Sequence, residues 1–194
     1  MNSITVFCAS SPGFKPAYVQ AAQDTGRFLA KNNVTLVYGG GCVGLMGALA
    51  DAVLDAGGQV IGVIPQFLMD LEVGHRGLTE LIIVESMHER KLKMAELCDG
   101  VMALPGGFGT LEELVEMLTW SQLALHRKPI GILNTEGYYD LLQKLFAHMV
   151  GEGLLKESNQ NLAIFDEDIS RLYQKMSSFE PTTTTKWVSD SRKT

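Results

Sequence analysis

Val101-Met102-Ala103-Leu104-Pro105-Gly106-Gly107-Phe108-Gly109-Thr110-Leu111-Glu112-Glu113 is the stretch around which the fold can be laid out. Its first four residues are an apolar run short enough for a buried strand, and Thr110-Leu111-Glu112-Glu113 suits the first turn of a helix. Gly106, Gly107 and Gly109 lie between them, where backbone can approach a ligand with no Cβ in the way. A glycine turn feeding a helix N-terminus offers unpaired N–H groups and the positive end of the helix dipole to an anion. Phosphate is the usual guest. Thr110-x-x-Glu113 also reads as a capping box, with Thr110 as N-cap and Glu113 reaching back to its N–H. Spacing alone favours the cap; Pro105-Gly106-Gly107 before it and Glu112 within it shift the balance toward a binding site.

Working outward, apolar runs at 4–7, 34–38, 59–64, 81–84, 101–104, 129–133 and 162–165 predict strands. Helical patterns cover 17–31, 87–98, 138–150 and 169–176, with a small-residue helix ending at Ala56 and another running from Thr110 to about Leu125. Pro65 is expected to stop the third strand. Residues 66–79 have no clear period and carry Asp70, Glu72, His75 and Arg76, which predicts a mobile loop beside the site. Strands alternating with helices imply an α/β, Rossmann-like, doubly wound and mostly parallel sheet with helices on both faces. The pattern gives a single domain over 1–180, followed by a flexible tail, 181–194, that contains four consecutive threonines. Ligands in such folds sit at the carboxyl ends of the strands, so the glycine turns at 39–47 and 105–109 should converge on one edge.

The bulk properties narrow the function classes. A length of 194 residues with 46% hydrophobic and 20% charged content suits one soluble domain with a sizeable core. A net charge of −6 argues against a nucleic-acid polymer or an anionic membrane as partner. Cys8, Cys42 and Cys98 are widely spaced and form no CxxC pair, as expected of reduced thiols in a cytoplasmic protein. No signal peptide and no membrane-length apolar run is apparent.

Several motifs can be weighed directly. Gly39-x-Gly41-x-x-Gly44 matches a dinucleotide fingerprint, but the acidic residue expected about 20 positions on is replaced by Val63-Ile64-Pro65. Gly44 and Gly47 are equally well explained by tight helix–strand packing and by a ligand role. There is no G-x-x-x-x-G-K-[ST] string. His75, His88, His126 and His148 show no metal-ligand spacing, and Ser10 and Ser11 follow a strand without an evident His partner. Arg90 and Lys91 fall early in their helix, the wrong end for the dipole, which hints at function; solvated charges beside Glu85 and Glu89 are the plainer alternative. The two cations diverge by roughly 100° around the helix, so both need not serve one ligand. Leu111, Leu114, Val115, Met117, Leu118, Trp120, Leu123 and Leu125 make their helix apolar nearly all round. A homodimer interface is the expected cause, with deep burial in a monomer as the alternative.

As a whole, Pro105-Gly106-Gly107-Phe108-Gly109-Thr110-Leu111-Glu112-Glu113 resembles the PGGxGTxxE motif of the lonely-guy (LOG) family. These are cytokinin-activating phosphoribohydrolases once labelled lysine decarboxylase-like. The resemblance extends over nearly the whole chain before the tail, through Gly39-Gly40-Gly41, Gly44-Leu45-Met46-Gly47, Met87-His88-x-Arg90-Lys91 and Thr119-Trp120-x-Gln122-Leu123. It implies hydrolysis of the N-glycosidic bond of cytokinin riboside 5′-monophosphates, and of AMP, to free base and ribose 5-phosphate, with no cofactor and no metal. It assigns catalysis to Arg90 and Glu113 and phosphate contacts to Gly106, Gly107, Gly109 and Thr110. Glu72, Lys91, Phe108, Leu111, Glu112 and Thr119 are placed along the substrate. Glu112 and Thr119, seven apart, share a helix face. The residue types suit the reaction, since a positioned carboxylate can stabilise the sugar cation or activate water, and a fixed cation can stabilise reacting charge. Decarboxylation usually needs a pyridoxal-phosphate lysine, and the one suggestive string, Ser86-Met87-His88-Glu89, ends without one. A nucleotide carrier without turnover and a broader purine or pyrimidine monophosphate nucleosidase are the competing expectations.

Overall fold

The computed structural model describes residues 1–70 and 74–180. Glu72 and the predicted tail, 181–194, lie outside the described residues. Seven strands, β1 (Ser3–Phe7), β2 (Thr35–Tyr38), β3 (Val60–Pro65), β4 (Glu80–Val84), β5 (Gly100–Ala103), β6 (Ile130–Leu133) and β7 (Ala163–Asp166), form one sheet. Its order is β4-β3-β2-β1-β5-β6-β7, and every pair is parallel. β1, β5 and β6 are buried along nearly their whole length, which is why they read as unbroken apolar runs rather than alternating ones.

The helices are α1 (Pro16–Lys31), α2 (Gly44–Asp55), α3 (Gln66–Asp70), α4 (Met87–Glu96), α5 (Phe108–Gln122), α6 (Asp140–Gly151), α7 (Glu157–Gln160) and α8 (Ile169–Ser177). Local chemistry explains the long ones. Pro16 opens α1 with a preset φ, and Asn33 closes it in the left-handed region at φ 54°, where the Val34 N–H reaches back to the Leu29 carbonyl. Ala22, Leu29, Leu45, Leu49, Leu172 and Met176 bring α1, α2 and α8 onto one face of the sheet. Met94, Leu114, Met117 and Leu142 bring α4, α5 and their neighbour α6 onto the other. The chain therefore winds outward from β1 to β4, crosses over, and winds away from β5 to β7. β1 and β5 flank the switch point, where ligands of such sheets gather.

Three expectations are corrected. Residues 66–79 are not one loop: 66–70 are helical, Gly74 bridges to Gly41, and the His75 N–H donates to the Gly40 carbonyl at 2.8 Å. Pro65 is the last paired residue of β3, opposite Val84, rather than its stop. Thr110 does not cap α5. The helix starts two residues earlier at Phe108, with Gly107 in the cap position and the Leu111 N–H already bonded to the Gly107 carbonyl at 3.0 Å.

Candidate active site

A cavity of about 570 Å³ opens at the switch point, lined by the residues that follow β1, β2 and β5 and by side chains of α4 and α5. The volume lies within the usual range for small-molecule sites. Its β5 side is the N-terminus of α5. No side chain caps that end and no acidic residue occupies its first turn, so the N–H groups of Phe108, Gly109 and Thr110 remain available. A Cβ added to Gly107 or Gly109 would meet nothing within 4 Å; both point at open cavity. Gly106 lies one layer back, where a Cβ would run into the Thr110 hydroxyl, and its carbonyl accepts from the Tyr138 hydroxyl at 2.7 Å. The turn is thus braced from behind and open in front.

Arg90 and Glu113 face one another across α4 and α5, with Nη1 and Oε1 3.6 Å apart. Arg90 is only 8% exposed and Glu113 9%. The guanidinium is locked by backbone: Nε donates to the Val63 carbonyl at 3.1 Å and Nη2 to the Gly39 carbonyl at 3.2 Å. Gly39 must be glycine for this contact, because a Cβ there would overlap Nη2. Burial, the largest influence, lifts the Glu113 carboxyl from 4.5 to about 7, with the Arg90 charge pulling the other way. A carboxyl poised near neutrality can take or give a proton at physiological pH. Cys8 lies at the cavity floor, where burial, and secondarily the Glu113 charge, pushes its thiol far above the usual range; it is no thiolate nucleophile.

Of the residues singled out from the sequence, Arg90, Gly107, Phe108, Gly109, Thr110 and Glu113 line this cavity. Gly106 backs it. Leu111 packs into the core on the α4–α6 side of the sheet. Lys91, Glu112 and Thr119 do not line it. Lys91 Nζ bonds Glu112 Oε1 and lies 3.0 Å from Glu116 Oε2, and the Thr119 hydroxyl donates to the Val115 carbonyl at 2.8 Å. Neither early cation of α4 is a solvated surface charge: Lys91, like Arg90, is only 8% exposed. Gly44 and Gly47 take the packing role, pressed against the backbone of Ser10–Ser11 and of Cys42 respectively. Sequence reasoning weighed Ser10 and Ser11 only as nucleophiles, whereas the structure places them, with Ala9, on the cavity lining; their position after a central strand was the one signal for that role. Among the described residues, no three His, Cys, Asp or Glu side chains gather as a metal site. No helix among them is long and apolar enough to cross a membrane.

Fold and cavity together define a Rossmann-like protein with a cavity that brings the uncapped N-terminus of a helix beside a buried arginine–glutamate pair. Residues 46–176 match the family described as "possible lysine decarboxylase". A cytokinin riboside 5′-monophosphate phosphoribohydrolase of Rhodococcoides fascians is 49% identical over 169 residues, covering 87% of this chain and 85% of that protein. One from Arabidopsis thaliana is 44% identical over 178 residues, covering 92% and 78%. The chain belongs to this family, the LOG family. The molybdenum cofactor binding protein of Rippkaea orientalis superposes with a TM-score of 0.68 at 20% identity, covering 91% of this chain and 94% of that one, a likeness of fold alone.

Proposed function

We propose that this chain is an N-glycosyl hydrolase that cleaves cytokinin riboside 5′-monophosphates, and AMP, into free base and ribose 5-phosphate. The observation that carries the reading is the buried Arg90–Glu113 pair opening on the same cavity as the uncapped N-terminus of α5. The relatives named above as phosphoribohydrolases, 44–49% identical, support it. The phosphate lies against the N–H groups at 108–110, which places the sugar further along the cavity toward Glu113. As the bond from C1′ to the base nitrogen lengthens, positive charge grows on the sugar and negative charge on the base. Ionised Glu113 faces the sugar cation and takes a proton from the attacking water, whose oxygen bonds to C1′. That proton passes on to the departing base, so one water is consumed and no charge is left over. Arg90, held by two carbonyls, keeps Glu113 in place and retains its own charge throughout. Lys91, with Glu112 and Glu116, fixes the spacing of the two helices that carry the pair.

The chain is also proposed to work as a homodimer in the cytoplasm. Leu92, Val115, Leu123 and Leu125 are 52%, 44%, 57% and 68% exposed on α4, α5 and the turn after it, an apolar face without cover in the single chain. Light scattering that returns a monomer mass at micromolar concentration would refute the dimer. For the activity, the protein is incubated with AMP or isopentenyladenosine monophosphate and free base is measured by chromatography. Base release that vanishes in Glu113→Ala supports the hydrolase; tight binding without product makes the protein a carrier, and equal turnover of pyrimidine nucleotides makes it a broader nucleosidase.

A further inference from the structure

Ser10 follows β1, the strand that lies between the two glycine turns, since β1 pairs with β2 on one side and β5 on the other. The residue before it, Ala9, is bolted to both. The Ala9 N–H donates to the Pro105 carbonyl at 3.2 Å, while the Ala9 carbonyl accepts from the N–H groups of Leu45 and Met46 at 3.1 and 3.3 Å. Gly44 completes the clamp, because a Cβ at that position would overlap the Ser10 carbonyl. Ser10 is therefore held at a set distance from the anion cradle and from the start of α2.

The cavity has a polarity that matches this placement. Its β5 end carries the uncapped N–H groups of α5, and at its β2–β3 end Val43, Met46, Ile64 and Leu68 form an apolar wall beside the Arg90 guanidinium that is seated on Gly39 and Val63. A nucleoside monophosphate has the same order of parts, phosphate, then sugar, then flat base. With phosphate at the cradle and base on the apolar wall, the sugar lies in the middle, over the loop after β1. In many folds of this type, a carboxylate at the end of a neighbouring strand reads the ribose hydroxyls. Here β3 ends in Val63, Ile64 and Pro65, all buried, and the Val63 carbonyl is taken by Arg90. The uncharged hydroxyls left on the lining belong to Ser10, Ser11 and Thr110. Thr110 is packed under the cradle against Gly106, and Ser11 Oγ accepts from the Gly13 N–H at 3.3 Å within its own turn. Among the described residues, nothing bonds the exposed Ser10 hydroxyl.

We infer that Ser10 is a specificity-determining residue whose hydroxyl bonds the ribose 2-hydroxyl of the substrate, so that the cavity selects ribose 5-phosphates over 2-deoxyribose 5-phosphates. This rests on the nucleotide reading of the cavity, yet it can be tested without turnover. Ribose 5-phosphate and 2-deoxyribose 5-phosphate are titrated calorimetrically into the full chain and into Ser10→Ala, with matched thermal melts as the folding control. The native chain is expected to prefer ribose 5-phosphate by about 3- to 10-fold, the effect of one neutral hydrogen bond. Ser10→Ala should bind both sugars equally, at the level of the deoxy compound. A native chain that does not discriminate, a Ser10→Ala variant that still does, or binding of neither sugar overturns the inference. Sugar selectivity without base release from AMP would sink the hydrolase alone, and base release with no sugar selectivity would sink Ser10 alone.

Discussion

Replacing Glu113 with glutamine should move stability and turnover in opposite directions. Burial raises the Glu113 carboxyl from 4.5 to about 7 against the pull of Arg90. Because the folded value is the higher one, the protonated form stabilises the fold. That contribution is complete below about 4.5, falls away as pH climbs, and is gone above about 7. At about 1.4 kcal/mol per pH unit, the interval from 4.5 to about 7 is worth about 3 kcal/mol. Glutamine keeps the shape but cannot ionise. Glu113→Gln should therefore melt with the native chain near pH 5 and about 6–12 °C above it at pH 8, at about 2–4 °C per kcal/mol for a chain of this size. Turnover behaves differently, since the ionised carboxylate is the working form. Native kcat/KM should rise with pH and level off above about 7, while Glu113→Gln loses about 10²–10⁴-fold on that plateau and lacks the rise, so the gap narrows toward low pH. The substrate phosphate itself titrates at about 6, so the limb between 6.5 and 8.5 is the one to fit. Calorimetric melts from pH 5 to 8 and chromatography of released base supply the two readouts. A stability gap that stays flat with pH would show that Glu113 titrates normally, and near-native turnover in Glu113→Gln would end the catalytic assignment.

Gly39→Ala should unseat Arg90 and, by removing the cation that holds the Glu113 pKa down, shift the midpoint of the pH–rate profile above about 7; a lower rate with an unmoved midpoint refutes the seat. Gly109→Ala should place a methyl in the cradle and raise KM about 10- to 100-fold, the loss of one charge-assisted hydrogen bond, while Tm holds or rises because alanine suits a helix better; an unchanged KM places the phosphate elsewhere. At Asp166, burial would raise the carboxyl, but hydrogen bonds from Lys175, the Asp168 N–H and Arg171 outweigh it and hold the group well below the usual carboxylate range. Its stabilisation is thus present above about 3.8 and lost as pH falls, so Asp166→Asn should lower Tm at pH 7 with the gap closing toward pH 2; a gap constant with pH refutes the linkage.

The strands and the glycine turn before α5 were legible in the sequence because both depend on local chemistry. An apolar run such as 101–104 has no stable place except inside a sheet, and glycines at 106, 107 and 109 leave backbone bare wherever they fold. A contrast between two identical patterns shows what remained undecided. Ser86-x-x-Glu89 has the same spacing of hydroxyl and carboxylate as Thr110-x-x-Glu113, the one read above as a capping box. At the first, Ser86 does cap α4, its Oγ accepting from the Glu89 N–H at 3.1 Å, and the Glu89 carboxylate accepts from the Glu85 N–H at 2.8 Å. At the second, Gly107 takes the cap position, Thr110 is drawn into the first turn, and Glu113 is freed to meet Arg90 from another helix. Likewise, Gly39 matched a dinucleotide fingerprint in sequence and proved to be the seat of a guanidinium 51 positions away.

What the sequence by itself determined is the alternation of strands and helices and the turn that can hold a phosphate, since each follows from residues within one stretch of chain. Tertiary structure alone decided that Arg90, Glu113, Gly39 and the loop after β1 share one cavity. Burial, the contact of side chains from separate elements and the raised Glu113 pKa arise only when the sheet brings its carboxyl ends together.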